Sequence, residues 1–192
     1  LRALGYDEEF LLNYFYERIQ MDLTKAGKAS LRFDPAIWEN KRASRDLIHP
    51  GSKKQIVPRN RVIKRGHLKR LGWNFDEKKG WVAEAGALKK LELDGEELGG
   101  QRLAADVVDK KTGEVLARRN QTLDAAEFLG KKLEQTALDA ILEAGVKSVE
   151  VLLVDKLNMQ EFMCRTLEKD GMEQASVESD PEKTAQECAL QE

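Results

Sequence analysis

Long apolar runs are missing from this chain. None approaches the ~20 residues that a helix needs to cross a bilayer, and no amino-terminal signal pattern is present, so no membrane partner is expected. Cysteine is nearly absent: Cys164 and Cys188 are too few for a disulfide framework, and no CxxC or Cys/His zinc spacing occurs. A reducing, cytoplasmic setting fits that usage. His49 and His67 stand without a cysteine or carboxylate at ligand spacing and are expected to serve the surface or the core. The 14 glycines never fall into GxGxxG or GxxxxGK[ST], since Gly95 and Gly99-Gly100 lack that context. Carboxylate runs such as Asp7-Glu8-Glu9 and Glu96-Glu97 look like caps and solvated faces, and no nucleophile–base arrangement is suggested. Accordingly no catalytic residue, cofactor or metal site is assigned. The chain also lacks an initiating Met and stops at Glu192 inside a helical pattern, as expected of a piece cut from something larger.

What is present is a chain of 192 residues, 41% hydrophobic and 34% charged, with a formal net charge of −2. A chain of that length forms one medium domain or two small ones and can bury roughly 70% of the surface its unfolded form exposes. The near-neutral total hides an asymmetry. Between Lys41 and Arg70 the positive residues outnumber a single acid, Asp46, whereas the stretch from Glu168 onward is mostly acidic. Closely spaced cations neutralise phosphates and release counterions, so Lys53, Lys54, Arg59, Arg61, Lys64 and Arg65 are candidates for phosphate or partner contact. The alternative is a solvated face that touches nothing. No aromatic residue interleaves 53–70, which argues against base stacking on single strands.

The clearest local signal is the stretch from Ala104 to Leu123. Asp106–Asp109 and Glu114–Ala117 are short β-prone runs, and Lys110-Lys111-Thr112-Gly113 between them suits a tight reversal. Thr122 is expected to cap a following helix. The order is strand, turn, strand, helix. The same order is expected sixty positions earlier, with Asp46 matching Asp106, Leu47-Ile48 matching Val107-Val108, Arg59-Asn60 matching Arg119-Asn120, and Ile63 matching Leu123. Glu84-Ala85-Gly86 before Leu91-Glu92-Leu93 likewise resembles Glu143-Ala144-Gly145 before Val149-Glu150-Val151, as if each copy closed with a Gly-capped helix and a returning strand. The fold class expected is α+β, with two repeated hairpin–helix–strand cassettes over about 43–95 and 98–153.

Asp7 is a plausible helix cap, and Phe10, Leu11, Tyr14, Phe15 and Ile19 follow at near-helical spacing, an aromatic-rich stripe expected to join the core. A polar turn at Thr24–Lys28, a strand at Ser30–Phe33, and a cap with proline at Asp34-Pro35 come next. Leu71–Gly86, with Trp73, Phe75 and Trp81, is expected to embellish the first cassette and to lack a counterpart in the second. Leu123–Ala144 should be helical, kinked or divided near Gly130 or Thr136. Glu161–Leu167 is helical in pattern, Gly171–Glu182 reads as a polar loop, and Lys183–Glu192 as a helix.

Four collinear segments carry a resemblance. Leu1-Arg2-Ala3-Leu4-Gly5-Tyr6 with the helix through Phe10, Leu11 and Phe15-Tyr16, then Asp109-Lys110-Lys111-Thr112-Gly113-Glu114, then Thr166-Leu167-Glu168-Lys169-Asp170, and last Ala189-Leu190-Gln191-Glu192 resemble, in that order, the lobe region of the bacterial DNA-directed RNA polymerase beta subunit. The resemblance covers essentially the whole chain. It implies that 1–40 and 154–192 form a discontinuous, mostly helical lobe base, with 41–153 a lineage-specific insertion of small repeated modules. It also implies a parent complex that is a nucleotidyltransferase with beta', alpha, omega and sigma partners, DNA near the lobe, and transcription regulators on the insertion. The fragment itself would be inactive, serving as a structural and docking surface. Departures are the Trp73–Trp81 segment, the longer stretch after Thr122, Glu168 where the family usually has Arg, and the loop Gly171–Glu182. A free-standing nucleic-acid-binding module using 41–70 is the other reading.

Overall fold

Apolar and polar residues alternate from Arg18 to Leu23, the period of a half-buried strand, and this stretch becomes the middle of the fold. The computed structural model describes residues 5–24, 28–125, 127–128, 131–132, 135–155, 157–158 and 160–179. In chain order the elements are α1 (Glu8–Phe15), β1 (Arg18–Leu23), β2 (Ala29–Arg32), α2 (Pro35–Trp38), β3 (Leu47–Ile48), β4 (Gln55–Val57), α3 (Arg65–Arg70), β5 (Trp73–Asp76), β6 (Gly80–Ala83) and β7 (Lys90–Leu93). There follow α4 (Gly95–Gly99), β8 (Arg102–Leu103), β9 (Val107–Val108), β10 (Val115–Ala117), β11 (Glu127–Phe128), β12 (Lys131–Lys132), α5 (Ala137–Glu143), β13 (Ser148–Leu152) and α6 (Phe162–Ser179). Helices and small antiparallel sheets are mixed, as an α+β chain requires.

Five strands form an antiparallel sheet in the order β7-β2-β1-β13-β8. Met21 lies opposite both Leu31 and Val149, and Ile19 opposite Val151, so one pleat face collects the apolar residues. That face carries the main core, which also takes in Trp38, Leu47, Val57, Ile63, Leu68, Leu123 and Ile141. The other face is polar at its centre: Asp22 pairs with Arg32 at 3.3 Å and Lys90 at 2.7 Å, and the Gln20 amide donates to Ser148 at 2.7 Å. One end of that face is covered. There Leu11, Leu12 and Tyr16 of the α1 region meet Ala104, Leu152, Cys164 and Leu167 in a second cluster.

Two short hairpins, β3–β4 and β9–β10, are closed by contacts that fall sixty residues apart. Asp46 and Asp106 each accept a backbone N–H, from Arg59 at 2.6 Å and Arg119 at 2.7 Å. Asn60 and Asn120 both take left-handed backbone conformations, φ 67° and 62°, which Asn tolerates better than most residues. Their N–H groups donate to Ala43 and Leu103. Leu47 faces Val57 as Val107 faces Ala117, while Arg42 bridges Val62 as Arg102 bridges Thr122.

Beyond the hairpins the expected pattern gives way in several places. Thr122 caps no helix: its backbone is extended opposite Arg102, and Leu123 is held in the core with its N–H donated to Gln101. Helix over 123–144 is replaced by β11, β12 and then α5, which starts at the true cap, Thr136, whose hydroxyl accepts from Asp139 N–H at 3.2 Å. Leu71–Gly86 is the hairpin β5–β6, and the second region also has a hairpin, placed before its helix rather than after it. Gly145 follows a helix end as expected, but Gly86, φ 85°, lies in a turn after a strand. Gly72 is the position that forces glycine: at φ 88°, an added Cβ would sit 2.7 Å from the Ala87 Cα.

The amino-terminal segment is less helical than expected. Asp7 caps α1 through the Phe10 N–H at 2.7 Å, and Asp34 caps α2, as read from sequence. Yet α1 stops at Phe15, and Ile19 belongs to β1 because the alternation from Arg18 is a strand period. The aromatic stripe therefore divides: Leu11 and Leu12 are buried, whereas Phe10 and Tyr14 are exposed. At the other end α6 runs through Gly171 to Ser179 where a loop was expected. The expected helix 183–192 and Cys188 lie outside the described residues.

Candidate partner-binding surface

The basic run is laid out along β3, β4 and α3. Lys53 and Lys54 occupy the β3–β4 turn, Arg59 and Arg61 follow β4, and Lys64 and Arg65 open α3; all six are exposed. Arg65 is already engaged. It pairs with Glu39 at 2.8 Å and stacks over the Phe75 ring at 4.4 Å. Arg45, elsewhere in the run, pairs with Glu97 at 2.8 Å. Lys53, Lys54, Arg59, Arg61 and Lys64 make no ion pair among the described residues, so their charge faces solvent. The sole acid of the run, Asp46, is used by the backbone of Arg59.

A second basic group escaped sequence reading because it lies outside the run. Arg102 is 6% exposed, and its guanidinium donates to the Asn120 carbonyl at 2.7 Å and reaches Glu161 and Glu168 at 3.3 and 3.4 Å. Asn120 is fully buried, and its amide donates to the Cys164 carbonyl at 2.8 Å. Arg119 beside it pairs with Glu9 of α1 at 2.9 Å. Three residues around the second hairpin thus hold α6 and α1. The available signal was the match of Arg119-Asn120 to Arg59-Asn60, which marked a turn but not a partner.

Around this junction burial sets the acid–base behaviour. The Cys164 thiol is pushed up by burial, only partly offset by a hydrogen bond with Tyr16 and the Arg102 charge. Tyr16 itself is pushed up to about 12, chiefly by burial and also by Cys164, and its hydroxyl donates to the Gln160 carbonyl at 2.9 Å. On the far face, the hydrogen bond from Lys90, aided by Arg32, holds Asp22 below the usual carboxylate range.

The histidines have local tasks. His49 Nδ1 accepts from the N–H groups of Gly51 and Ser52, both at 3.1 Å, and His67 Nδ1 accepts from Lys64 N–H at 3.2 Å. Among the described residues no group of three or more His, Cys, Asp or Glu could hold a metal ion, and no helix is long and apolar enough to cross a membrane.

The structure is an antiparallel sheet with small satellite hairpins, fastened to α6 by buried polar contacts and to α1 by an exposed ion pair. No family model matches the chain. It spans about a tenth of the length of the curated relatives it matches. Those relatives are beta subunits of DNA-directed RNA polymerase. The identity is 29% to that of Sorangium cellulosum, over 88% of this chain and 11% of the relative. For Syntrophobacter fumaroxidans it is 32%, over 84% and 11%, and for Myxococcus xanthus 30%, over 90% and 11%. The chain is therefore related to a segment of the bacterial polymerase beta subunit, as the four collinear motifs implied. That relation does not favour a free-standing nucleic-acid-binding module.

Proposed function

We propose that this chain is a non-catalytic part of a DNA-directed RNA polymerase beta subunit, working as a structural and docking surface in DNA-templated transcription. The observation that carries the reading is the similarity of 84–90% of the chain to a narrow window of those subunits. The parent complex would perform nucleotidyl transfer in the cytoplasm with its beta', alpha, omega and sigma subunits, while this part assigns no group to the chemistry. Residues 1–40 and 154–192 would be the lobe base and 41–153 the insertion. The boundary at 41 is then one of descent rather than packing, since β1 and β2 share a sheet with β7, β8 and β13.

Within the insertion, 43–95 and 98–153 are read as two copies of one module. In support, aspartate–backbone, left-handed Asn and strand-bridge contacts recur at a spacing of sixty. Lys53, Lys54, Arg59, Arg61 and Lys64, with Arg65 partly occupied by Glu39, would face DNA or a regulator. Mass spectrometry of the transcription complex purified from the source cell tests the assignment. Peptides from 104–118 and 161–165 should fall in one very large subunit; finding them in a small separate protein would remove the reading, as would nucleotidyl transfer by the isolated chain.

A further inference from the structure

Around the second hairpin three side chains are occupied by helices of this same chain. Arg102 takes Glu161 and Glu168, Arg119 takes Glu9, and Asn120 donates to the Cys164 backbone. Sixty residues earlier stand Arg42, Arg59 and Asn60, the same three residue types on the same turn. Arg42 donates to the Asn60 carbonyl at 2.9 Å, as Arg102 does to Asn120 at 2.7 Å, and Asn60 has the same left-handed backbone. The difference lies in what covers them. Arg42, Arg59 and Asn60 are all exposed, and neither arginine forms an ion pair among the described residues; what meets this turn is Asn158, whose side-chain oxygen accepts the Arg42 N–H at 2.7 Å and whose amide donates to the Arg42 carbonyl at 2.9 Å, leaving the Arg42 guanidinium without a carboxylate.

We propose that Arg42, Arg59 and Asn60 form a docking site for an acidic helix of a partner protein. The occupant follows from the second module. Arg102 there is met by two glutamates seven residues apart, which a helix separates by only about 10 Å along one side. A carbonyl between them, that of Cys164, receives the Asn amide, while the flanking arginine is met from a second element by Glu9 of α1. Charge complementarity points the same way, because the run from Lys41 to Arg70 holds one acid, Asp46, and that acid is bound by the Arg59 backbone. Side-chain carboxylates present discrete acceptors to a guanidinium and hydrogen-bond it more strongly than a neutral acceptor would. The proposal rests on the reading of 43–95 and 98–153 as equivalent modules.

The test uses the 192-residue chain and a helix-stapled peptide with the sequence of residues 160–171, followed by fluorescence anisotropy. Saturable binding is expected, weakened about tenfold or more by the Arg42→Ala/Arg59→Ala/Asn60→Ala variant and by changing both peptide glutamates to Gln, as loss of charge-assisted hydrogen bonds requires. Those positions are exposed, but Asn60→Ala loses stability at its left-handed backbone, so circular dichroism checks that the variant is folded and Arg42→Ala/Arg59→Ala with Asn60 kept is measured beside it, with the same weakening expected. Absence of binding at millimolar peptide, or binding indifferent to either change, overturns the proposal. So does a DNA duplex that needs the same three residues while the peptide does not bind, which would make the site one for nucleic acid. A separate arm isolates the module reading: Arg102→Ala should raise amide hydrogen exchange in α6. If α6 is unaffected, the equivalence of the modules fails; if α6 loosens and the peptide still does not bind, the docking site alone fails.

Discussion

Asn120 and Asn60 offer a comparison in which one residue type occupies the same backbone conformation, with matching backbone hydrogen bonds, while the side chain of Asn120 is buried against Cys164 and that of Asn60 is exposed. Changing either to Ala places a Cβ-bearing residue without a helpful side chain at a φ near 65°, between the 62° and 67° observed, and costs about 1–2 kcal/mol in each case. Only at Asn120 is a second loss added. The fully buried amide ceases to donate to the Cys164 carbonyl, worth about 1 kcal/mol, and the vacated space under α6 leaves neighbours without contacts, for an extra cost of about 1–2 kcal/mol overall. The Asn120 carbonyl oxygen of the side chain has no partner among the described residues, so removing it costs little and keeps the figure low. Subtracting the two variants cancels the shared backbone term. In urea unfolding Asn120→Ala should therefore fall below Asn60→Ala by about 1–2 kcal/mol, and by about 2–8 °C in Tm for a chain of this size. Equal losses would refute the claim that the Asn120 side chain fastens α6.

Three other outcomes are expected. Gly72→Ala should destabilise by about 2 kcal/mol or more, through the positive φ and the overlap with Ala87, with a fall in the urea midpoint as the measure; an unchanged midpoint would mean the loop before β7 gives way freely. Asp22 has a lowered folded pKa, so its contribution is present above the ordinary carboxylate pKa of about 3.9 and is lost as pH falls through the folded value; Asp22→Asn should flatten the acid limb of stability below that ordinary pKa, and an unchanged limb would contradict the Lys90 and Arg32 pairing. Cys164 and Tyr16 are raised, so their contribution is complete below the ordinary thiol pKa of about 8.5 and is lost as pH rises through the folded values; stability should decline above that pH, less so in Cys164→Ala, and thiol alkylation should track global unfolding rather than thiolate formation.

Local chemistry made some of this legible in advance. Asp7 and Asp34 cap helices because a short carboxylate reaches the orphan N–H groups of a first turn, which needs nothing beyond neighbouring residues. The β3–β4 and β9–β10 hairpins were legible for the same reason. The stretch after Thr122 was misread because its polar and apolar spacing suits a helix, while burial of Leu123 in the core and the bridge between Thr122 and Arg102 hold it extended. Tertiary pairing outweighed propensity there. Ile19 went astray in the opposite way, since it was counted with the preceding helix although its own alternation with Met21 and Leu23 is a strand period.

For the candidate surface, sequence located the cations but could not say which were spent. Arg65 and Arg45 are committed to Glu39 and Glu97, neither of which lies within five residues of its partner, and Arg102 drew no notice outside the charged run. Composition, the two hairpins, the family resemblance and the density of positive charge were thus set by the order of residues alone. Which side of each hairpin is covered, that Arg102 and Asn120 are buried while Arg42 and Asn60 remain open, and that strands from both sides of residue 41 share one sheet were decided by tertiary structure. The reason is physical: burial and ion pairing depend on what distant segments bring into contact, and the same residue types at matching turn positions acquire different energies when only one set is covered.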